Sequence, residues 1–326
     1  MSARALVERM LRLVAKRYVD ADVAAAMQAA LGARLARGAY DSLPDGPQLS
    51  QTLTTHLQEI SRDAHLAVLY HPDAQPTDPK RAEQQEREDM QRLGPLINFY
   101  LDRAERLNGN VGLVALRGFF AAHIAGASEA IAAAMTVIAH TEALILDLRR
   151  NGGGEPAMVA LLCGYFFPEP LLSVNFITRS GQTESQNWTP AHLAGPRYLD
   201  RPIYVLTSAM TASGAEECVY TLKTRGRATL VGEPTLGATN LPRTYQLDEH
   251  HLLQLPECRP ISPVTGSNWE GGIAPDIPAT RDDALTVAYH HALAHVAASN
   301  LPDWLCDEAT TELNAHAPPS VTRAAR

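Results

Sequence analysis

One stretch restricts the possible folds more than any other: residues 143–155, ALILDLRRNGGGE. An apolar strand, Leu144 to Leu148, runs out through Asp147, Arg149 and Arg150 into three consecutive glycines, Gly152 to Gly154. A helix from Pro156 to about Tyr165 follows. Strand, glycine turn and helix in that order make an α/β unit. Glycines free of a Cβ let successive backbone N–H groups turn toward one point, and the helix adds its positive N-terminal end. Such a nest binds a phosphate, a carboxylate or a developing oxyanion. No lysine follows as in G-x-x-x-x-G-K-[ST], and the spacing is not G-x-G-x-x-G, so neither nucleotide motif is present.

The chain around this stretch has 326 residues, enough for one large core or two moderate ones, and two is the better prior. A net charge of -8, with no dense basic patch carrying aromatics, speaks against nucleic-acid and anionic-membrane partners. Cys163, Cys218, Cys258 and Cys306 match neither a disulfide framework nor a zinc spacing, and no metal or cofactor is expected. The opening MSARALVERMLRLVAKRY has charges throughout and reads as an amphipathic helix rather than a signal peptide. No apolar run reaches membrane-spanning length. The expectation is a soluble, cytoplasmic protein of open oligomeric state.

Periodicity predicts three short helices over residues 2–60, the second capped by Asp20. A short strand at 66–70 follows, then a polar linker at 72–105, whose Pro, Asp and Glu-rich first part at 72–89 reads as part linker and part exposed helix. Strands are expected at 111–116 and 144–148, with an alanine-rich helix at 127–139 between them. Residues 171–188 and 241–256 read as hairpins, the second turning near Asp248 to His250. A buried strand at 203–206 feeds Thr211-Ala212-Ser213-Gly214 and then a helix at 215–223. A strand at 228–231 and a last helix at 282–298 complete the set.

Ser213, at the junction of a buried strand and a helix, can be read as a nucleophile or as an ordinary N-cap. Gly214 beside it offers an unobstructed N–H of the kind an oxyanion hole needs. A serine nucleophile needs a base. His65, at the entry to a strand and just after Asp63, is one of 12 histidines, so residue type alone does not select it. Glu270 lies in a glycine-flanked loop after Trp269, where it could orient an imidazole or simply be solvated. Glu233, Arg149, Asp147 and Glu216 read as braces, with Arg149 or Arg227 as partners for Glu233.

Several blocks in order, DAHLAVLY at 63–70, RLNGNVGLVALRGFF at 106–120, ALILDLRRNGGG at 143–154, YVLTSAMTASGAEE at 204–217, RATLVGEPTLGAT at 227–239 and NWEGGIAPDI at 268–277, carry a resemblance. The chain resembles the S41 serine peptidases, which include carboxyl-terminal processing proteases, the tricorn core and the interphotoreceptor retinoid-binding protein modules. It looks closest to the bacterial branch similar to those modules. The resemblance implies a crotonase/ClpP-like α/β core of stacked sheet and helices behind a small N-terminal helical bundle. No PDZ domain fits between His65 and Val111. The implied domains are a helical one at 1–62, a catalytic α/β one at 63–310 that includes the linker at 72–105, and a tail at 311–326.

The same resemblance assigns Ser213 as nucleophile, His65 as base and Glu270 as the group that holds the imidazole. Gly214 with Gly152 or Gly153 supplies the oxyanion hole. The lysine that processing proteases use is replaced here by Gly237-Ala238-Thr239, which rules out a Ser–Lys dyad at that place. The implied partner is a peptide or protein substrate. Two other readings keep the fold: a non-catalytic binding module for an apolar small molecule, and a hydrolase or acyl transferase repurposed for small-molecule biosynthesis.

Overall fold

The structure is a computed structural model and describes residues 2–44, 46–76 and 78–315. Its architecture is mixed α/β, with helices at the N-terminal end and a sheet core. The chain divides into two compact units that do not follow sequence order. Residues 1–88 are joined by 175–186 and 238–261 in the first, and the second holds 89–174, 187–237 and 262–326.

Helices α1 (Ala3–Arg17), α2 (Ala21–Ala36) and α3 (Pro47–Ser61) open the first unit. Ser2 caps α1 through the Ala5 N–H, and the Asp20 carboxylate caps α2 through the N–H groups of Asp22 and Val23. Pro47 starts α3, where its missing N–H costs nothing, and Arg62 ends it in a left-handed conformation (φ 55°). Strand β1 (Ala67–Tyr70) follows at once. The apolar faces of the three helices, including Leu6, Met10, Met27, Leu31, Leu53 and Leu57, bury against Leu66, Val68, Leu247, Leu253 and Leu255.

The remaining elements, in order, are α4 (Pro79–Leu96), β2 (Leu101–Leu107), β3 (Val111–Leu116), α5 (Ala127–Ile138), β4 (Ala143–Asp147) and α6 (Pro156–Gly164). Then come β5 (Leu172–Thr178), β6 (Thr183–Trp188), β7 (Ile203–Thr207), α7 (Gly214–Thr224) and β8 (Thr229–Gly232). Strands β9 (Leu241–Gln246), β10 (His251–Ile261) and β11 (Ile277–Pro278) precede α8 (Ala284–Ala297) and α9 (Asp303–Ala315). One sheet has the order β1-β10-β5-β6, with β9 also pairing β10. The β9–β10 turn is set by Asp248, whose Oδ1 accepts from the N–H groups of His250 and His251.

The sheet of the second unit has the order β11-β8-β7-β4-β3-β2. All its pairings are parallel except β2 with β3. Its central strands are near-continuous apolar runs, as a sheet covered on both faces requires. Val111, Leu113, Ala143 and Ile145 face α8 and α9. On the opposite face, a Cβ added at Gly112 would meet Ile138 of α5. The glycine turn thus leaves the C-terminal end of β4 in the middle of the sheet, between β3 and β7.

Three expectations need correction. The polar stretch at 72–105 holds the exposed helix expected of it, α4, but also the edge strand β2, which was not expected; β2 pairs on one side only, so charged residues line it and mask its pattern. Residues 311–315 belong to α9 rather than to a tail, and residues 316–326 of that expected tail lie outside the described residues. The helix at 284–297 is therefore not the last. No helix among the described residues is long and apolar enough to cross a membrane.

Candidate active site

Ser213 sits where β7 hands over to α7, and its backbone lies at φ 55°, ψ -123°. That conformation is costly for any residue with a Cβ and persists only where the surroundings impose it. It is also not the extended backbone usual at an N-cap, although Ser213 forms a capping box with Glu216. Ser213 does stand at the N-cap of α7, where its carbonyl accepts the Glu216 and Glu217 N–H groups at 2.8 and 3.0 Å, so it caps the helix from a strained backbone.

What imposes the conformation is Glu216, fully buried on the first turn of α7. Its Oε2 accepts the Ser213 N–H at 2.9 Å, and its Oε1 accepts from Thr235 Oγ1 and the Gly237 N–H, both at 2.6 Å. Thr235 in turn ties in the loop bearing Glu270: its Oγ1 also accepts the Ile273 N–H, and its own N–H donates to the Ile273 carbonyl. One carboxylate therefore fixes the serine backbone, the 233–237 loop and, through Thr235, the 268–273 loop. Sequence reading placed Glu216 only as a brace.

The glycine turn approaches the serine from β4. Gly153 is at φ 102°, and a Cβ there would stand 2.7 Å from the Ser213 Cβ, which only glycine permits. Asn151 locks the turn: its Oδ1 accepts the Gly153 N–H at 2.9 Å and its carbonyl accepts the Ala212 N–H at 3.1 Å. The Gly153 N–H is thus already committed. Gly152 is exposed. Gly154 pairs with Phe119 through its neighbours, the Gly153 carbonyl and the Glu155 N–H, which turns its own N–H to the other side. Gly214 lies close by, where a Cβ would sit 3.0 Å from the Gly154 carbonyl oxygen and 3.3 Å from its nitrogen. Sequence reading did not single out Gly154; only the pairing with Phe119 reveals which way its N–H points.

Arg149 clasps Asp147 with two hydrogen bonds, Nε to Oδ1 and Nη2 to Oδ2, and donates Nη1 to the Arg281 carbonyl. It braces the turn, as expected. Glu233 accepts from the N–H groups of Arg281 and Ala209, not from Arg149 or Arg227. Behind the serine, Glu217 is fully buried; its Oε1 accepts from Ser173 Oγ and Asn187 Nδ2. Burial pushes this carboxyl up to about 7, against the two hydrogen bonds, which favour the ionised form. Glu270 is exposed, and its N–H donates to Asn268 Oδ1.

His65 belongs to the first unit. It stands half-buried between α3 and β1, and its Nδ1 is buried with no hydrogen-bond partner among the described residues. Burial lowers its pKa; Asp63 and the Asn240 main-chain carbonyl oppose this. A neutral imidazole near neutral pH follows, the form a base needs. Among the described residues no group of three or more His, Cys, Asp or Glu is placed to hold a metal ion.

With this geometry in place, comparison with known proteins is informative. The profile described as peptidase family S41 matches residues 110–279. A second profile, described as the N-terminal domain of peptidase S41 in eukaryotic IRBP, matches residues 2–100. A carboxyl-terminal-processing protease of Synechocystis is 31% identical over 132 residues, 40% of this chain and 30% of that protein. In a solved structure of the photosystem II D1 C-terminal processing protease, 17% identical, the match covers 87% of this chain and 94% of that one with a TM-score of 0.54. A lipoprotein from Streptococcus agalactiae, 18% identical, gives a TM-score of 0.58 over 94% of this chain and 97% of its own. At these identities the solved structures speak to the fold alone. The chain spans less than half the length of the curated relatives it matches.

Proposed function

The chain belongs to peptidase family S41, and on that footing we propose that it is a serine peptidase that hydrolyses peptide bonds through Ser213, His65 and Glu270. The observation that carries this reading is the Ser213 backbone, held at φ 55° and ψ -123° by a buried carboxylate at the junction of β7 and α7. Strain of this kind collects where a nucleophile must be presented.

In the proposed reaction His65 takes the Ser213 proton as the hydroxyl attacks a peptide carbonyl, and Glu270 orients the imidazole and stabilises its cation. The tetrahedral oxyanion is bound by the Gly214 N–H, at the start of α7, and by an N–H of the glycine turn. Of Gly152, Gly153 and Gly154, the N–H of Gly153 is committed to Asn151, which makes it the poorest donor and leaves the role to Gly152 or Gly154. Loss of one such donor costs roughly 10²–10³ in rate. His65 then protonates the leaving amine, and water attacks the acyl-enzyme by the same route. Gly237-Ala238-Thr239 supplies no lysine, so the general base is assigned to His65.

The test is cleavage of a defined mixture of peptides, read by mass spectrometry. Wild type is expected to cut, Ser213→Ala and His65→Ala to lose cleavage, and Glu270→Gln to fall by 10-fold or more. Unimpaired cleavage by Ser213→Ala, or no cleavage by a folded wild type that binds an apolar small molecule, sinks the reading in favour of the binding module.

A further inference from the structure

His65 is held by a group that the proposed mechanism does not use. Asp63 is 8% exposed, and all its hydrogen-bonded neighbours are neutral: Oδ1 accepts the His65 backbone N–H at 3.0 Å, and Oδ2 accepts from Asn240 Nδ2 at 2.8 Å and the Tyr18 hydroxyl at 3.2 Å. No Lys or Arg among the described residues forms an ion pair with it. A buried carboxylate without a cation is expensive, and an asparagine could occupy the same turn at far lower cost. The one titratable group it bears on that can become a cation is the imidazole two residues along. Tyr18, the other titratable neighbour, is kept neutral because burial, and then Asp63 itself, raises its pKa far beyond the physiological range.

We propose that Asp63 is a positioning residue for the His65 base: it pins the backbone that carries the imidazole and supplies the negative charge that the protonated ring requires. Three donors from three segments, α1's C-cap Tyr18, the 63–65 turn and the residue before β9, fix the carboxylate in place. The sense of the effect is definite. Burial alone makes His65 a weaker base, and Asp63 opposes that loss, so that proton abstraction from a serine remains favourable while the ring stays neutral at rest. No part of this places Asp63 in contact with substrate. It rests on the peptidase reading, because positioning a base matters only if there is a base to position.

The experiment separates the two. His65 is titrated by NMR in histidine-labelled full-length chain without substrate, its signal assigned by its disappearance in His65→Gln. Asp63→Asn is expected to move the His65 midpoint down by about one pH unit, the lower end of what an opposite charge within reach contributes. Asp63→Ser, which keeps an acceptor for the His65 N–H but carries no charge, is expected to do the same, and serves if the asparagine variant does not fold. Tyr18→Phe, which leaves the charge, is expected to leave the midpoint within about 0.3 unit. In peptide cleavage the acid limb of the kcat/KM profile is expected to follow the NMR midpoint downward. An unchanged midpoint in a folded uncharged variant overturns the proposal whatever the activity. A shifted midpoint with no cleavage by wild type upholds the Asp63–His65 coupling and refutes the peptidase reading instead.

Discussion

Replacing Glu217 by glutamine changes the stability of this protein in a pH-dependent way whose sign is fixed by the structure. The carboxyl is fully buried and is raised from an ordinary 4.5 to about 7, chiefly by burial. The folded state therefore holds a proton that the unfolded chain has released throughout the interval between those values. Below about 4.5 the group is neutral in both states and costs nothing; as pH rises toward 7 the unfolded state gains, and the penalty is complete above the folded value. A shift of about 2.5 units corresponds to roughly 3 kcal/mol, of which about 2–3 kcal/mol develops between pH 5 and pH 8. Glutamine never ionises, and its Oε1 can still accept from Ser173 and Asn187, which both use Oε1 in the native site. Urea unfolding of wild type and Glu217→Gln at pH 5 and pH 8 isolates the effect, because other titrations cancel in the difference. The variant is expected to gain about 2–3 kcal/mol on wild type over that range. A difference that does not change with pH, or wild type gaining on the variant as pH rises, refutes the reasoning.

Three further outcomes follow from the site. Ser213→Gly removes the Cβ from a left-handed backbone and is expected to stabilise the chain by about 1 kcal/mol in urea unfolding, whereas Ser213→Ala, which keeps the strain, stays near wild type. Glu216→Ala removes the acceptor of three donors, the buried Thr235 hydroxyl and the half-buried Ser213 and Gly237 N–H groups, and is expected to cost about 2–3 kcal/mol by the same assay, with loss of peptide cleavage. Gly153→Ala puts a methyl against the Ser213 Cβ at a φ of 102° and is expected to abolish cleavage and destabilise by about 2 kcal/mol or more, whereas Gly226→Ala, in open space with a positive φ, costs about 1 kcal/mol and leaves cleavage intact.

The central strands were legible because parallel β-strands covered on both faces are written as apolar runs. VGLVAL and ALILD announce themselves, and the helix after Ser213 follows from its strand–helix junction. The β9–β10 hairpin was legible through the turn chemistry of Asp248. Edge strand β2 and helix α9 were not: one is charged along an exposed side, and the other buries chiefly Leu305 and Ala309 out of 13 residues. The assembly of the first unit from three separate segments depends on β10, whose long-range pairing no local pattern encodes. At the site, the serine and the glycine turn could be named from sequence, but the means of presentation could not. The φ of Ser213, the three-way reach of the Glu216 carboxylate and the commitment of the Gly153 N–H to Asn151 are properties of backbone placed by tertiary contacts. A glutamate on the first turn of a helix reads as a cap or a solvated charge until its burial is seen.

The central claim is that Ser213 is an activated nucleophile. Incubation with a fluorophosphonate, followed by peptide mapping of the intact and digested protein, tests it most directly. The account predicts a single covalent adduct on Ser213, lost in Ser213→Ala and slowed at least 100-fold in His65→Ala. A folded wild-type chain that takes no adduct at Ser213, or takes it equally well without His65, contradicts it.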